Sequence, residues 1–287
     1  MATGLTYRRV IRELAAFFDL APIEDAVYER RTASDPAEYA ARLLQATGSD
    51  WLLVDDGFPP PAESTTWDEL AELARCEARP VLRIERLADE LRDLDALRAE
   101  VGAARGNGFV ALKTIAAYRG GLEHVGDALP AALDANEATG APLPVQVHTG
   151  FGDADLFLPR ADPVYLKPLI ERFRETPFVL LHCYPFVREA GWLAHVYGNV
   201  FLDVSLTIPY VSRPAEAVRE ALELAPYSKL LYASDAARTP ELYFLAATWW
   251  REALAAVLPE ALEPADAERA ARAILRDNAL ALYGLDG

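Results

Sequence analysis

The chain has 287 residues, 52% of them hydrophobic, and carries 44 Asp and Glu against 28 Lys and Arg, a net charge of -16. That balance excludes nucleic acid and anionic lipid as expected partners, because gripping phosphate takes clustered Lys and Arg. No run of about 20 apolar residues is present to span a bilayer. The first residues lack the apolar stretch of a secretory signal, and the two cysteines, Cys76 and Cys183, suit a reduced compartment better than a disulfide scaffold. Cytoplasm is the expected location.

In chain order, Tyr7, Val10, Ile11, Leu14, Phe17 and Phe18 recur at helical spacing and predict a first helix over 5–18. Pro22 opens a second short helix in its first turn. Asp35 and Pro36 start a third, running to about residue 46, with Gly48 as its stop. The first strand-like run follows at 51–55, ending at Asp55-Asp56-Gly57 and a Pro-rich loop. A helix over 66–78, a strand over 80–84 and a charged helix over 87–105 come next. Further strands are expected over 108–113, 143–148, 178–182, 199–204 and 230–235.

Strand then helix, repeated with strand ends some 20 to 35 residues apart, is the pattern of parallel βαβ units. No linker or low-complexity tract interrupts it, so residues 1–287 read as one domain, with 1–48 as a helical segment before the strands. Residues 240–287 read as closing helices over 240–258 and 265–283, the last stopping at Gly284. Polar or charged residues close nearly every strand: Asp55, Arg83, Lys113, His148, His182, Asp203 and Asp235. In an open doubly wound sheet such residues gather at the switch point, whereas a closed barrel carries them on every strand. No glycine-rich phosphate loop follows any strand, which disfavours nucleotide binding.

His148 and His182 end apolar runs in the same way, and Asp235 ends a third. One histidine at a strand end is ordinarily a hydrogen-bonding rim residue. Two together with a carboxylate make a ligand set for zinc, manganese or iron, since neutral imidazoles leave the ion its charge. Asp235 then serves as ligand, as general base to a bound water whose pKa the ion lowers to about 7, or as both. Lys113 closes an apolar run where an ammonium is costly unless paired or altered. It reads equally as a metal ligand after carbamylation, as a substrate-binding cation, or as a rim lysine paired with Asp55 or Asp56. Arg83, Tyr118 and Arg119 lie at or beyond strand ends and suit either a clamp on a substrate carboxylate or ordinary ion pairs. Asp203 and Ser205 are candidates to support the ligands. Asp153 and Asp155 read as solvated turn residues, His124 and His195 as helical and structural, and Trp249-Trp250 as core.

The motifs VQVHTGFGD, FVLLHCYP, VFLDVS, LLYASDA and a closing DNALALYGL together resemble the amidohydrolase superfamily in its amidohydrolase-related branch. The runs GFVALKTIAAYRGGL and LLVDDGFPPP resemble the subgroup that also occurs fused to glutamine-synthetase-like domains. The resemblance covers essentially the whole chain. It implies a (β/α)8 TIM-barrel-like fold with one or two divalent metals at the C-terminal rim, zinc foremost. By it, His148 and His182 match metal histidines on the family's fifth and sixth strands. Asp235 matches the aspartate after the eighth, and Lys113 sits where some members carry a carbamylated lysine. The family's first strand brings an H-x-H pair, yet no histidine precedes His124 here. The expectation is therefore a barrel lacking its first strand, with an N-terminal helical insertion, exposed strand edges, weak metal binding and low activity.

The leading functional expectation is a metal-dependent hydrolase, with Asp235 and His182 catalytic. It would cleave a C–N bond, a γ-glutamyl amide or similar, in a small carboxylate or amide substrate through metal-activated water. A metal-dependent non-oxidative decarboxylase on the same barrel is the first alternative, and a non-catalytic binding protein the second. Assembly into a homo-oligomer is left open.

Overall fold

A computed structural model describes residues 3–55, 57 and 65–286. Asp56, considered above as a partner for Lys113, and the Pro-rich stretch 58–64 lie outside the described residues. Three helices lead: α1 (Leu5–Phe18), α2 (Glu24–Ala33) and α3 (Pro36–Gln45). The α1 stripe buries Ile11, Leu14 and Phe18 against Val27, Tyr39 and Leu43. Pro22 falls just before α2, which begins at Glu24 and not around the proline.

Seven strands follow, β1 (Trp51–Asp55), β2 (Glu77–Arg83), β3 (Ala111–Thr114), β4 (Val145–His148), β5 (Phe178–Leu181), β6 (Val200–Asp203) and β7 (Leu230–Leu231). Every neighbouring pair is parallel, and the spatial order is the chain order. Between them run α4 (Trp67–Ala74), α5 (Ile84–Leu91), α6 (Leu94–Ala103), α7 (Ala128–Ala138), α8 (Lys167–Arg172), α9 (Val187–Val196), α10 (Thr207–Tyr210) and α11 (Pro214–Leu222). The chain closes with α12 (Pro240–Val257), α13 (Pro264–Arg272) and α14 (Asn278–Tyr283). Among the described residues this is a (β/α)8-type barrel with one strand fewer, as expected. Among the described residues no helix is long and apolar enough to cross a membrane.

The two faces of the sheet sort by strand parity. Leu112, Val145, Val147, Phe178, Leu180, Val200, Leu202 and Leu230 pack outward, in one large core with the helices and the fully buried Trp249 and Trp250 of α12. The alternate residues Val81, Ala111, Val179, Leu181 and Leu231 form a second, inner cluster. In register with that inner set stand Asp55 beside Val81, Arg83 beside Lys113, Lys113 beside Gln146, His148 beside Leu181, and Asp203 beside Leu231. The titratable groups thus share the inward parity and the C-terminal end.

Among the described residues β1 and β7 do not pair with each other, but β7 does not expose a bare edge. The Tyr232 amide donates to the Ile274 carbonyl (3.0 Å), and the Asn278 side chain donates to the Leu230 carbonyl (2.9 Å). Arg276 Nε meets Asp50 (2.7 Å), and the Trp51 indole donates to the Asp286 carbonyl (3.1 Å). Tyr283 reaches into the inner cluster, where its hydroxyl accepts from Gln146 (3.0 Å). The C-terminal helices therefore fill much of the side where a further strand would lie.

Several boundaries differ from expectation. The helix predicted over 87–105 is two, because Arg92 takes a left-handed conformation at the end of α5 and Asp93 caps α6 by accepting from the Ala96 amide (2.7 Å). Strand β2 starts three residues early and hands Ile84 to a helix. The run 230–235 stays a strand for two residues only, since pairing stops where β6 ends. The helix expected over 265–283 is interrupted by a π-helical segment over Ala273–Asp277, which supplies the Ile274 carbonyl to Tyr232. His124 lies in a turn, not in a helix.

Candidate active site

A cleft of about 2050 Å³ opens at the C-terminal ends of the strands and extends toward the side between β1 and β7. His148, His182 and Asp235 meet on its floor. The His148 and His182 rings lie 4.6 Å apart, edge to face, and His182 Nε2 is 3.9 Å from Asp235 Oδ2. Lys113 Nζ stands 3.1 Å from Asp55 Oδ2 and 3.9 Å from Asp235 Oδ1. The four residues predicted from sequence thus line one cleft, Lys113 and His148 from strands and His182 and Asp235 from the segments just beyond β5 and β7.

His148 ends β4 and is buried, and its Nε2 has no hydrogen-bond partner. Burial holds its pKa well below the usual imidazole range, reinforced by the neighbouring His182 ring and by the Lys113 charge. His182 is lowered in the same direction by burial and by Lys113. Both rings are therefore neutral at neutral pH, the form in which imidazole offers a lone pair. His182 is anchored by β6: its Nδ1 meets Ser205 Oγ (2.8 Å), and Ser205 Oγ donates to Asp203 Oδ1 (2.6 Å). That oxygen also accepts the His182 and Ser205 amides (2.8 and 2.9 Å). Burial raises the Asp203 carboxyl to about 6, against the pull of these hydrogen bonds, so it is ionised above that pH. The single Ser205 proton then goes to Asp203, Nδ1–H of His182 points at Ser205, and Nε2 is left as a bare acceptor toward Asp235.

Backbone conformation helps aim these groups. His182, Cys183 and Asp235 have φ of 68°, 64° and 48°. Such left-handed residues cost about 1–2 kcal/mol each outside glycine and concentrate at functional sites. The Trp250 indole donates to the Ala233 carbonyl (3.0 Å), tying the Asp235 loop to the buried face of α12. Asp235 lines the cleft and keeps 30% of its side chain accessible through the mouth. Burial raises its carboxyl above the usual range, with Lys113 and His148 opposing.

The remaining sequence candidates divide. The Arg83 Nε lies 3.1 Å from both Asp55 oxygens, so the fork considered for a substrate carboxylate already embraces Asp55. Burial would raise Asp55, but the Lys113 charge and the Arg83 bonds outweigh it and hold the carboxyl below its usual range. Arg119 pairs at the rim with Asp89 (2.6 Å), both side chains being half exposed. Tyr118 sits over His148 with ring centroids 4.8 Å apart, and its hydroxyl accepts the Asp153 amide (3.0 Å). Asp153 and Asp155 are exposed loop residues along the cleft, and His195 Nδ1 meets the Leu224 carbonyl (3.1 Å).

Sequence reasoning missed three features. Glu85 is carried to the cleft wall by the first turn of α5. One of its oxygens accepts the Thr114 hydroxyl, the other is buried without a partner, and burial raises its pKa. Gly150 and Gly152, two residues apart after His148, let the loop cross β5 and His148 closely. That spacing was the available signal, since glycine is the residue for close backbone approach. Phe151 and Tyr210 line the cleft, while Tyr184 packs edge-on against Phe151.

Among the described residues no three His, Cys, Asp or Glu side chains stand close enough to hold an ion as they are placed. The donors nevertheless fit a divalent cation in kind: a buried unpartnered imidazole nitrogen, a second imidazole with its Nδ1 anchored, and an accessible carboxylate.

Comparison with known proteins agrees with this picture. Residues 64–285 match the family model described as Amidohydrolase. Protein fluG of Emericella nidulans is 41% identical over 162 residues, 54% of this chain; the match spans 19% of that relative's length. The crystal structure of a proposed metal-dependent hydrolase from Lactobacillus casei superposes with a TM-score of 0.83 at 30% identity, covering 99% of this chain and 85% of that one. An uncharacterized TIM-barrel protein from Bordetella bronchiseptica shares the fold alone, with a TM-score of 0.60 at 16% identity, covering 96% of this chain and 89% of that one.

Proposed function

The chain belongs to the amidohydrolase family, and from that premise we propose that it is a metal-dependent hydrolase of a C–N bond in a small amide or carboxylate substrate. His148, His182 and Asp235 would hold the ion. The observation that carries this reading is the buried, unpartnered Nε2 of His148 beside His182 and Asp235. A buried polar atom without a partner is costly, and a divalent cation is the partner its lone pair suits. When bound, the ion would supply Lewis acidity and a more acidic water at neutral pH.

The chain's own groups supply the rest. Asp203 and Ser205 keep His182 in the tautomer that leaves Nε2 free. Asp235, raised by burial and reachable through the mouth, takes the proton of the attacking water and passes it to the leaving amine. Tyr118 is the side chain best set to touch the substrate, since its ring flanks His148 and its hydroxyl, accepting from Asp153, keeps its proton for an acceptor. Arg83 and Arg119 act on carboxylates of their own chain and fix the walls.

A panel of small amides assayed for amine release tests the reading. Release is expected to stop on removal of divalent metal with a chelator and to return with zinc, manganese or iron. Carbon dioxide release in place of amine would turn the assignment to a lyase, and turnover unaffected by chelation would overturn the metal.

A further inference from the structure

Lys113 is the cation set deepest in the mouth, with 11% of its side chain accessible. Its two carboxylate neighbours are unequal. Asp55, at 3.1 Å, is already embraced by the Arg83 fork, so one carboxylate faces two cations. The charge left over is balanced by Asp235, at 3.9 Å. Arg83, Asp55, Lys113 and Asp235 therefore form an alternating row of two positive and two negative groups. Asp235 is also the carboxylate that faces His182 Nε2. Lys113 faces Oδ1 of Asp235 and His182 faces Oδ2, so a divalent ion at the two imidazoles and the Lys113 ammonium draw on the same carboxylate charge from opposite oxygens.

Resting on the metal reading above, we infer that Lys113 is a tethered competitor for the ion. It holds Asp235 when no metal is bound and must shift wholly onto Asp55 for Asp235 to turn toward the imidazoles. Arg83 sets how readily it does so, because its fork occupies the carboxylate that Lys113 would fall back on. This accounts for a ligand set that is right in kind yet not drawn together. It also assigns Lys113 a role opposite to that of a ligand: as a carbamate it would place a third negative group beside Asp55 and Asp235.

Zinc affinity of the full chain, read by competition with a chromogenic chelator, tests this for the wild type, Lys113→Met, Lys113→Gln and Arg83→Gln, with and without bicarbonate. Both Lys113 variants are expected to bind zinc about tenfold more tightly or better, as a repulsive coupling is removed. Arg83→Gln keeps Lys113 but gives it the whole of Asp55, and is expected to tighten binding by a smaller factor; it decides the matter if the Lys113 variants fold poorly. Equal or weaker binding by the folded variants overturns the competitor, as does bicarbonate-dependent affinity that vanishes with Lys113. Weaker binding by the variants beside clear binding by the wild type sinks this inference alone. Absence of binding in all four sinks the metal reading as well.

Discussion

Asp235→Asn is expected to lower turnover in the amine-release assay proposed above at least about a hundredfold, the usual contribution of a positioned general acid–base group. Thermal stability is expected to change little. Asn keeps the size and one oxygen of the carboxyl, and like Asp it is among the few residues that tolerate a φ of 48°. Alanine there would add backbone strain and confuse the result. What Asn removes is the charge shared by Lys113 and His182, and the basic oxygen able to take a proton. Steady-state kinetics beside a melting curve separate the two effects. Undiminished kcat/KM would remove Asp235 from the chemistry, whereas a collapsed melting temperature would assign it to the fold.

The second large effect concerns the crossing between β4 and β5. Gly150→Ala is expected to destabilise the fold by about 3–5 kcal/mol, at the severe end for a single substitution. Gly150 has a φ of +71°, which side chains rarely adopt. A Cβ there would collide with the Tyr184 carbonyl oxygen and stand 2.8 Å from the Cys183 carbonyl carbon. Those atoms are backbone and cannot swing aside. They are also held, because the Phe151 amide donates to the Tyr184 carbonyl (2.7 Å) and the Gly150 amide to the Ala161 carbonyl (2.8 Å). Denaturant titration measures the loss. At Gly152 the obstacle is the end of the Tyr118 side chain, which can turn, so Gly152→Ala is expected to cost less stability while crowding His148 Nε2, 3.1 Å from the new carbon. Equal small losses at both positions would contradict this account of the loop.

Much of the barrel was legible because its signals are local. Continuous apolar runs closed by one polar residue mark parallel strands, and their parity places His148, Lys113 and Asp203 on the inner face without any knowledge of long-range contacts. Asp203 and Ser205 were recognisable as support for a strand-end histidine, though not which atom each would touch. What escaped depends on neighbours. The strand ahead of Asp235 is short because pairing ends with β6, and no residue within 230–235 announces that. The left-handed backbone at His182, Cys183 and Asp235 runs against their preferences and exists because the surrounding structure imposes it. The arginines stayed undecided for a related reason: sequence shows a fork at a strand end and leaves substrate clamp and ion pair both open, while the carboxylates that engage Arg83 and Arg119 within the chain become visible only in the fold. Tyr283 gave no sign that it would enter the barrel interior, since its partners Gln146 and Leu231 are far away in sequence.

Zinc-soaked crystals of the full chain, read by anomalous scattering at the zinc edge, test the central claim most directly. The account predicts one ion within bonding distance of His148 Nε2 and His182 Nε2, with the Asp235 carboxylate turned toward it. An ion bound elsewhere, or anomalous density absent from this floor with both imidazoles still unligated, would contradict it.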